Sequence, residues 1–326
     1  MNVKPPGGAG RQNKSPGADK AAGFYVFGAS APGASRQRAV VLVTLAVLML
    51  SMLDASVKYL VQSYPLPMVS WARYFFHLAT FGAWILATHR AVAVRTRRLP
   101  LQIVRGLLLV AVTYLFIAAL GRLPLADVTA INFLAPIIVT ALSAIVLREA
   151  VGWHRWLAVS VGFVGVLIIV RPGADVMNWG ALLALGATFF FALYQIATRS
   201  LAPTDLAVTT MFYTALVGTA ATSLVVPFFW VTPAPADFGL MLVAGVMGGG
   251  GHFLLIHAYR YAEASLIAPL FYVQIVFSVA LGFVVFDEAP DGWTFAGAAL
   301  IILGGLWIWS RERHASRPLP IIERIL

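Results

Sequence analysis

The sequence of 326 residues contains no cysteine. This absence excludes disulfide bonds, thiol nucleophiles, zinc–thiolate sites and iron–sulfur clusters. Charged residues are scarce as well, at 11% of the chain, whereas 60% of the residues are hydrophobic and the mean hydropathy is +0.85. A soluble globule of this length needs more polar surface than such a composition supplies. The sequence therefore predicts an integral membrane protein.

Nucleotide-binding and hydrolase motifs are also missing, since no GxxxxGK[ST], HExxH, GxSxG or GxGxxG occurs in a suitable context. The sequence thus offers no machinery for ATP-driven pumping or for the common hydrolytic mechanisms. His252 and His257 are five residues apart, roughly 140° around a helix, so they do not form a two-histidine metal face. We expect no cofactor, no metal and no enzymatic activity.

Acidic residues number 13 against 23 lysines and arginines. The basic residues lie mainly in the tails and in short loops between apolar runs, which is typical of membrane topology rather than of nucleic-acid binding. If the N-terminus is cytoplasmic, 19 of the 23 fall in cytoplasmic segments, with Arg105 counted among them, and only Arg122 and Arg171 fall in outer loops. This asymmetry predicts that both termini are cytoplasmic.

Ten apolar segments of roughly 20 residues follow a Gly-, Pro- and Ala-rich N-terminal stretch. They lie near residues 39–62, 68–88, 103–120, 126–147, 153–170, 179–200, 206–229, 239–259, 265–286 and 294–310. Residues 1–38 are predicted to be a disordered cytoplasmic tail, and residues 314–326 a second cytoplasmic tail. The segments between them predict ten transmembrane helices.

The chain is internally duplicated. The pattern of residues 123–173 returns in residues 262–313, with Glu149 opposite Glu288 and Gly165 opposite Gly305. The boundaries of the two repeats are predicted at 39–173 and 174–313. Because each repeat has an odd number of spans, the second copy enters the membrane upside down relative to the first. The predicted fold is an all-α integral membrane protein with ten transmembrane helices, arranged as two inverted five-helix repeats.

Each repeat has a fourth helix that bears a proline and closes on glutamate, at Pro136 to Glu149 and at Pro269 to Glu288. With the glycines of the fifth helices, this pattern resembles the drug/metabolite transporter superfamily, and within it an EamA-type permease. The early segments LDASVKYL and YPLPMVSWARYFF are similar to members known as metabolite or S-adenosylmethionine uptake permeases. The resemblance implies secondary transport by alternating access, in the cell (inner) membrane of a bacterium and without a bound cofactor. The two prolines do not align, since Pro136 falls opposite Ile275.

Four ionisable residues lie within the first two predicted helices. Asp54 and Lys58 share one helix face at a spacing of four, as do Arg73 and His77 on the next helix. A buried charge needs a partner or a water-filled cavity, because each costs about 2.5 to 3.5 kcal/mol within a bilayer. Two interpretations stay open: a structural ion pair of Asp54 with Arg73 or Lys58, and a site for a substrate or a proton. One acid with two bases favours an anionic or zwitterionic solute.

Other polar residues within the segments complete the predicted substrate site. Gln195 falls opposite Asp54 at a spacing of 141, and Tyr194 precedes it. The remaining candidates for lining the cavity are Asn132, His252, Tyr272 and Gln274. The alternative for these side chains is packing or hydrogen bonding between helices.

The favoured function is secondary active transport of a small polar metabolite, anionic or zwitterionic, such as an amino-acid or nucleoside derivative. The expected partners are this small molecule and the lipid bilayer, with coupling to protons or to exchange and with no nucleic acid. Inverted duplication favours a carrier, because it provides symmetric inward and outward states. The alternatives are an intramembrane enzyme on a lipid-linked substrate, an exporter of drug-like cations and a membrane scaffold.

Overall fold

A computed structural model describes residues 33–146, 153–170, 179–201, 204–258, 261 and 268–315, and this part of the chain is helical without a strand. The first half contains α1 (Gly33–Val61), α2 (Leu66–His77), α3 (Ala83–Ala93), α4 (Leu99–Leu120), α5 (Leu125–Asn132), α6 (Ala135–Val146) and α7 (Trp153–Val170). The second half contains α8 (Trp179–Leu201), α9 (Ala207–Ser223), α10 (Pro235–Ala258), α11 (Val273–Phe286) and α12 (Gly292–Ala315). Glu149 and most of the two predicted tails lie outside the described residues.

In the part of the chain that the structure describes, four helices are long and apolar enough to cross a membrane: α1 over Gln37–Val61, α4, α8 over Trp179–Thr198, and α10. Shorter apolar helices lie at Leu125–Val139, Ser160–Ile169, Leu270–Phe286 and Gly292–Gly304. The chain is therefore a multi-pass membrane protein. Helix is present at each of the ten expected segments in the described part, whereas ten membrane crossings and the inverted orientation stay predictions.

Three of the helical segments are irregular. A π-helical turn, Leu78–Gly82, joins α2 to α3, and a turn at Phe133 and Leu134 separates α5 from α6. A 3₁₀ turn, Ala268–Tyr272, precedes α11. Pro136 has no N–H for the carbonyl of Asn132, which accounts for the break before α6. The proline-bearing segment of each half is thus interrupted near its proline.

Packing joins the two halves of the chain. The most extensive helix contacts are those of α1 with α10, α4 with α8, and α7 with α12, each between one half and the other. In the two repeats, α1 corresponds to α8, α4 to α10 and α7 to α12. If every helix is replaced by its counterpart, the α1–α10 pair becomes the α8–α4 pair, and the α7–α12 pair is unchanged. The contact pattern therefore has an approximate twofold symmetry.

Glycines allow α10 to approach its neighbours closely. A Cβ added at Gly245 would collide with Phe76 and with the backbone of His77, and one at Gly251 would press on Leu50. Small residues at helix crossings let backbones come together in membranes. The glycine run at 248–251 therefore serves packing of α10 against α1 and against Phe81 of the π-helical turn.

Hydrogen bonds between loops define two ends of the helix bundle. We call one the Lys58 end, formed by residues 58–66, 121–125, 223–237 and 287–292. We call the other the Asp205 end, formed by residues 94–98 and 200–206.

Candidate functional site

Asp54 and Gln274 come from opposite halves of the chain and meet in the bundle. Asp54 lies on α1 and is partly buried, and Gln274 is the second residue of α11. The Gln274 Nε2 donates a hydrogen bond of 3.3 Å to Asp54 Oδ2. The 3₁₀ turn before α11 places this amide against α1. Two of the expected site residues are thereby brought together.

Arg73 approaches the same region from α2. Its Nη1 donates a hydrogen bond of 2.9 Å to Thr113 Oγ1 on α4, and its guanidinium carbon lies 5.6 Å from the centre of the Tyr74 ring. Arg73 is close enough to Asp54 for their charges to interact. Neither forms an ion pair within 4 Å with any residue that the structure describes. The acid and the base are therefore near one another, but each is bonded to a neutral side chain.

His77 and His252 extend this group of side chains. His77 is buried, its ring meets Phe81 edge-on at 6.0 Å, and its Nε2 has no hydrogen-bond partner among the described residues. His252, on α10, is partly buried and interacts electrostatically with both His77 and Arg73. Both histidines are thus placed in the same region as the predicted charged pair.

Lys58 does not join this group. Its Nζ lies 2.6 Å from Glu288 Oε1 and donates a hydrogen bond of 2.6 Å to the Leu123 carbonyl. The other carboxylate oxygen of Glu288 accepts the N–H of Leu125 at 3.1 Å. Asp287, with a φ of 56°, ends α11 in the left-handed conformation, and Glu288 follows at the level of Lys58. The ion pair expected for Lys58 with Asp54 is therefore formed with Glu288.

The remaining expected residues are dispersed. Tyr272 packs its ring against Phe133 at 5.2 Å, so the turn before α11 meets the break between α5 and α6. Asn132, the last residue of α5, is partly buried at this break. Gln195 is exposed on α8, whereas its neighbour Tyr194 is buried. The symmetry of the repeats therefore does not place Gln195 in the position of Asp54.

Arg105, which the charge count placed among the cytoplasmic segments, is a buried charge within a helix. The residue lies in α4, is 4% exposed, and its guanidinium carbon stands 4.2 Å from the centre of the Tyr194 ring. The predicted segment began at residue 103, but α4 begins at Leu99 with a proline in its first turn. Pro100 was the missed signal for the start of α4, because proline is favoured in the first turn of a helix.

Asp205 was not among the residues predicted from the sequence. It organises the Asp205 end of the bundle. Its carboxylate accepts hydrogen bonds from Thr96 Oγ1 at 2.5 Å, from Gln102 Nε2 at 2.8 Å and from the Arg97 N–H at 3.2 Å. Desolvation by itself raises the pKa of Asp205, but these hydrogen bonds outweigh it, and the pKa is lowered from its usual value of 3.8. The carboxylate is therefore charged at neutral pH and joins the loop before α4 to the loop before α9.

Asp54, Arg73, Gln274, His77 and His252 are the polar side chains that the helices bring into one region. In the part of the chain that the structure describes, no three histidines or carboxylates are grouped so as to hold a metal ion. A recess lined by Leu86, Ala87, Val94 and Phe212 offers no polar lining side chain. The polar groups of Asp54, Arg73 and His252 are instead suited to a solute that carries charge.

The sequence matches the model of the EamA-like transporter family twice, over residues 37–171 and 178–310. It is 30% identical over 221 residues to the S-adenosylmethionine uptake transporter of Rickettsia bellii (strain RML369-C), covering 68% of this chain and 76% of that protein. It is 33% identical over 227 residues to the riboflavin transporter of Vibrio cholerae serotype O1, covering 69% and 76%.

A third relative is the pseudopaline exporter of Pseudomonas aeruginosa (strain UCBPP-PA14), 28% identical over 231 residues, which cover 69% of this chain and 80% of that protein. Among solved structures, one protein crystal structure superposes with a TM-score of 0.60 at 19% identity, covering 86% of this chain and 99% of that one. At this level of identity the structural likeness concerns the fold alone.

Proposed function

Because this chain belongs to the EamA-like transporter family, we propose that it moves a small zwitterionic or anionic metabolite across the membrane by alternating access, with Asp54 and Arg73 binding the solute. The family is part of the drug/metabolite transporter superfamily, and the relatives are named as transporters. The chain is accordingly a small-metabolite transporter, and the alternative of an intramembrane enzyme is set aside. The substrate class and the mechanism are the proposed part.

The proposal depends on one observation: the opposite charges of Asp54 and Arg73 lie close together without an ion pair between them. Gln274 bonds the carboxylate and Thr113 bonds the guanidinium, so each charge keeps a fixed direction and free hydrogen-bonding capacity. An ammonium group at Asp54 and a carboxylate at Arg73 would complete both interactions. A zwitterion supplies both groups, and burial away from water strengthens both contacts.

The relatives carry different solutes in different directions, as uptake of S-adenosylmethionine, transport of riboflavin and export of pseudopaline. These names support transport of a small metabolite by this chain but do not identify which metabolite it is. S-adenosylmethionine has an amino-acid end with an ammonium and a carboxylate group, whereas riboflavin has no charged group at neutral pH. The separated charges of Asp54 and Arg73 favour the first kind of solute.

Alternating access is supported by how the two halves of the chain pack. The helix pairs α1–α10 and α4–α8 exchange when the halves are exchanged, and the family model matches each half separately. In a transporter with inverted repeats, such symmetry allows the two halves to adopt one another's conformation. Asp54 and Arg73 belong to the first half, while Gln274 and His252 belong to the second, so a change between the halves would alter the site.

Solute exchange in proteoliposomes tests the proposal. Proteoliposomes with the purified protein would be loaded with a panel of unlabelled metabolites that carry an ammonium and a carboxylate group, including S-adenosylmethionine, which has a sulfonium in addition. Uptake of the labelled compound would be compared with that of riboflavin and of tetraphenylphosphonium. We expect saturable exchange of a zwitterion. Asp54→Asn and Arg73→Gln should each reduce it at least about tenfold, because each removes a charge-assisted contact.

Matched controls remove the same charges elsewhere. Asp287→Asn acts on an exposed residue whose left-handed backbone suits asparagine, and Arg122→Gln acts on a side chain bonded only within its own helix end, to the Ala118 carbonyl. Both controls should exchange solute at the wild-type rate. Transport of the cation alone, dependent on Asp54 and independent of Arg73, would favour a cation exporter and contradict the zwitterion proposal.

A further inference from the structure

Arg105 carries a buried positive charge whose hydrogen-bond partners are all neutral. Its Nε donates to Thr198 Oγ1 at 2.6 Å, its Nη1 to Thr214 Oγ1 at 2.5 Å and to the Thr210 carbonyl at 3.3 Å, and its Nη2 to Tyr194 Oη. No carboxylate lies within 4 Å of it in the described part of the chain. A buried charge is normally paired, so its counter-charge is to be sought in a ligand.

The threonines around Arg105 are fixed as acceptors. The Thr198 hydroxyl donates its own hydrogen to the Tyr194 carbonyl at 2.7 Å, and the Thr214 hydroxyl donates to the Thr210 carbonyl at 2.7 Å. Their lone pairs are thereby directed at the guanidinium. Three helices, α4, α8 and α9, hold the group in one orientation.

Two hydrogen-bond donors remain free at this place. A guanidinium has five N–H groups, and the four bonds of Arg105 leave one N–H on Nη2. Tyr194 Oη accepts from Arg105, so its own hydrogen is available, and neither donor has an acceptor among the residues that the structure describes. Arg105 and Tyr194 are only 4% and 8% exposed, so both donors are shielded from bulk water.

We propose that Arg105 and Tyr194 form a second binding site for the transported solute, which receives its anionic carboxylate or phosphate group. An N–H and an O–H side by side fit two oxygens of such a group, and the uncompensated charge favours an anion. This inference rests on the proposed function, because it adds a second station for the same solute.

The second site lies nearer the Asp205 end than the first. Arg73 donates to Thr113, and Arg105 precedes Thr113 by eight residues on α4, which is about 12 Å along the helix. Tyr74 lies between the two arginines: its hydroxyl bonds Thr113 at 2.7 Å and the Leu109 carbonyl at 2.9 Å. His252 interacts electrostatically with both arginines. A solute that leaves Arg73 towards the Asp205 end therefore meets Arg105 next.

Thermal stabilisation of the purified protein in detergent tests the site apart from transport, with acetate and inorganic phosphate as the probes and chloride as the reference at equal ionic strength. Ligands that bind the folded state raise its melting temperature. We expect stabilisation by acetate, by phosphate or by both, beyond that by chloride. In Tyr194→Phe, the half-saturating probe concentration should rise about tenfold, because one hydrogen bond to the charged ligand is lost while the ring stays stacked on Arg105.

The control is Tyr213→Phe. The Tyr213 hydroxyl donates to the Val94 carbonyl away from the site, so this variant should respond to the probes as the wild type does. Arg122→Gln, which removes a positive charge near the Lys58 end, should also keep the response. Equal stabilisation by chloride, or an unchanged response in Tyr194→Phe, would overturn the second site. Arg105→Gln should lose the response, and Tyr194→Phe decides the matter if that variant does not fold.

The two proposals fail in different ways. If zwitterion exchange depends on Asp54 and Arg73 but the anion response does not depend on Tyr194, the proposed function stands and the second site is wrong. If the anion response depends on Tyr194 but no solute of the panel is exchanged, the site stands as an anion site and the proposed function is wrong.

Discussion

At the scale of single residues, the charged side chains of this chain divide by their partners. Lys58 and Glu288 neutralise one another, and Asp205 is held by hydroxyl, amide and N–H donors. Asp54, Arg73 and Arg105 instead have neutral partners that leave part of their hydrogen-bonding capacity unused. The first group stabilises the fold, because its interactions are complete, and the second group retains capacity for a ligand.

Loss of Lys58 should destabilise the protein without a change in solute selectivity. Lys58→Met leaves Glu288 without its cation, and Glu288 is partly exposed, with 26% of its side chain accessible. We expect a loss of about 1 to 3 kcal/mol, between the values for surface and for buried pairs. Unfolding by heat or denaturant in detergent measures the loss.

The double variant Lys58→Met with Glu288→Gln provides the control. Removing both charges leaves no unpaired ion, so most of the lost stability should return. Both variants should show the wild-type ratio of exchange rates for the tested solutes. A changed ratio in the double variant would show that Lys58 contacts the solute.

Asp205 predicts a pH dependence of stability. Its pKa in the folded protein lies below its unfolded value of 3.8, so its contribution is fully present above that value and is lost as the pH falls through the folded pKa. Asp205→Asn should lower the stability at pH 7 by about 1 to 3 kcal/mol, the range for hydrogen bonds to a charged group. The difference between wild type and variant should shrink as the pH is lowered below 3.8. Melting curves across this pH range measure it, and a difference that stays constant would contradict the assignment.

At the scale of helices, close approach and local breaks decide how the site is built. α10 packs against both α1 and α2 because its glycines admit their side chains. The 3₁₀ turn before α11 and the break after α5 bring Gln274, Tyr272 and Asn132 to places that continuous helices would not give them. Part of the polar groups therefore lie at or next to irregular parts of the helices, as is common for the discontinuous helices of transporters.

Two substitutions in α10 separate helix packing from helix propensity. Gly245→Ala places a Cβ against Phe76 and the backbone of His77, where little can move, and should destabilise by about 1 to 3 kcal/mol. Gly239→Ala, in the same helix, has nothing within 4 Å of the added Cβ and should be neutral or stabilising by up to about 1 kcal/mol. Thermal unfolding of both variants tests the α2–α10 contact, and equal effects would contradict it.

At the scale of the whole molecule, the orientation in the membrane is the open prediction. The two ends of the bundle are separated in the structure, and the basic asymmetry assigns the Asp205 end to the cytoplasm. No native cysteine complicates labelling. A cysteine at Arg122, near the Lys58 end, should react with an impermeant maleimide from outside intact cells, and one at Arg95, near the Asp205 end, only after permeabilisation. Reaction of both from outside would contradict the predicted topology.

The amino-acid sequence by itself determined the class of the molecule. Apolar segments, their number and the internal duplication are properties of the local pattern, and they are read without knowledge of contacts. The family resemblance was confirmed by the match over both halves. Asp54 and Arg73 were also recognised from the sequence, because ionisable side chains in apolar segments stand out wherever the helices lie.

Only the tertiary structure decided which polar groups meet. Asp54 and Gln274 are 220 residues apart along the chain. Lys58 forms its ion pair with Glu288 instead of with Asp54, its neighbour on the same helix face. Arg105 lies among hydroxyl groups of three helices, which its place at the start of an apolar segment did not show. These outcomes depend on where helices start, how they rotate and which side chains they present to one another. Such quantities arise from packing between distant segments, and the hydrophobic pattern of any one segment does not contain them.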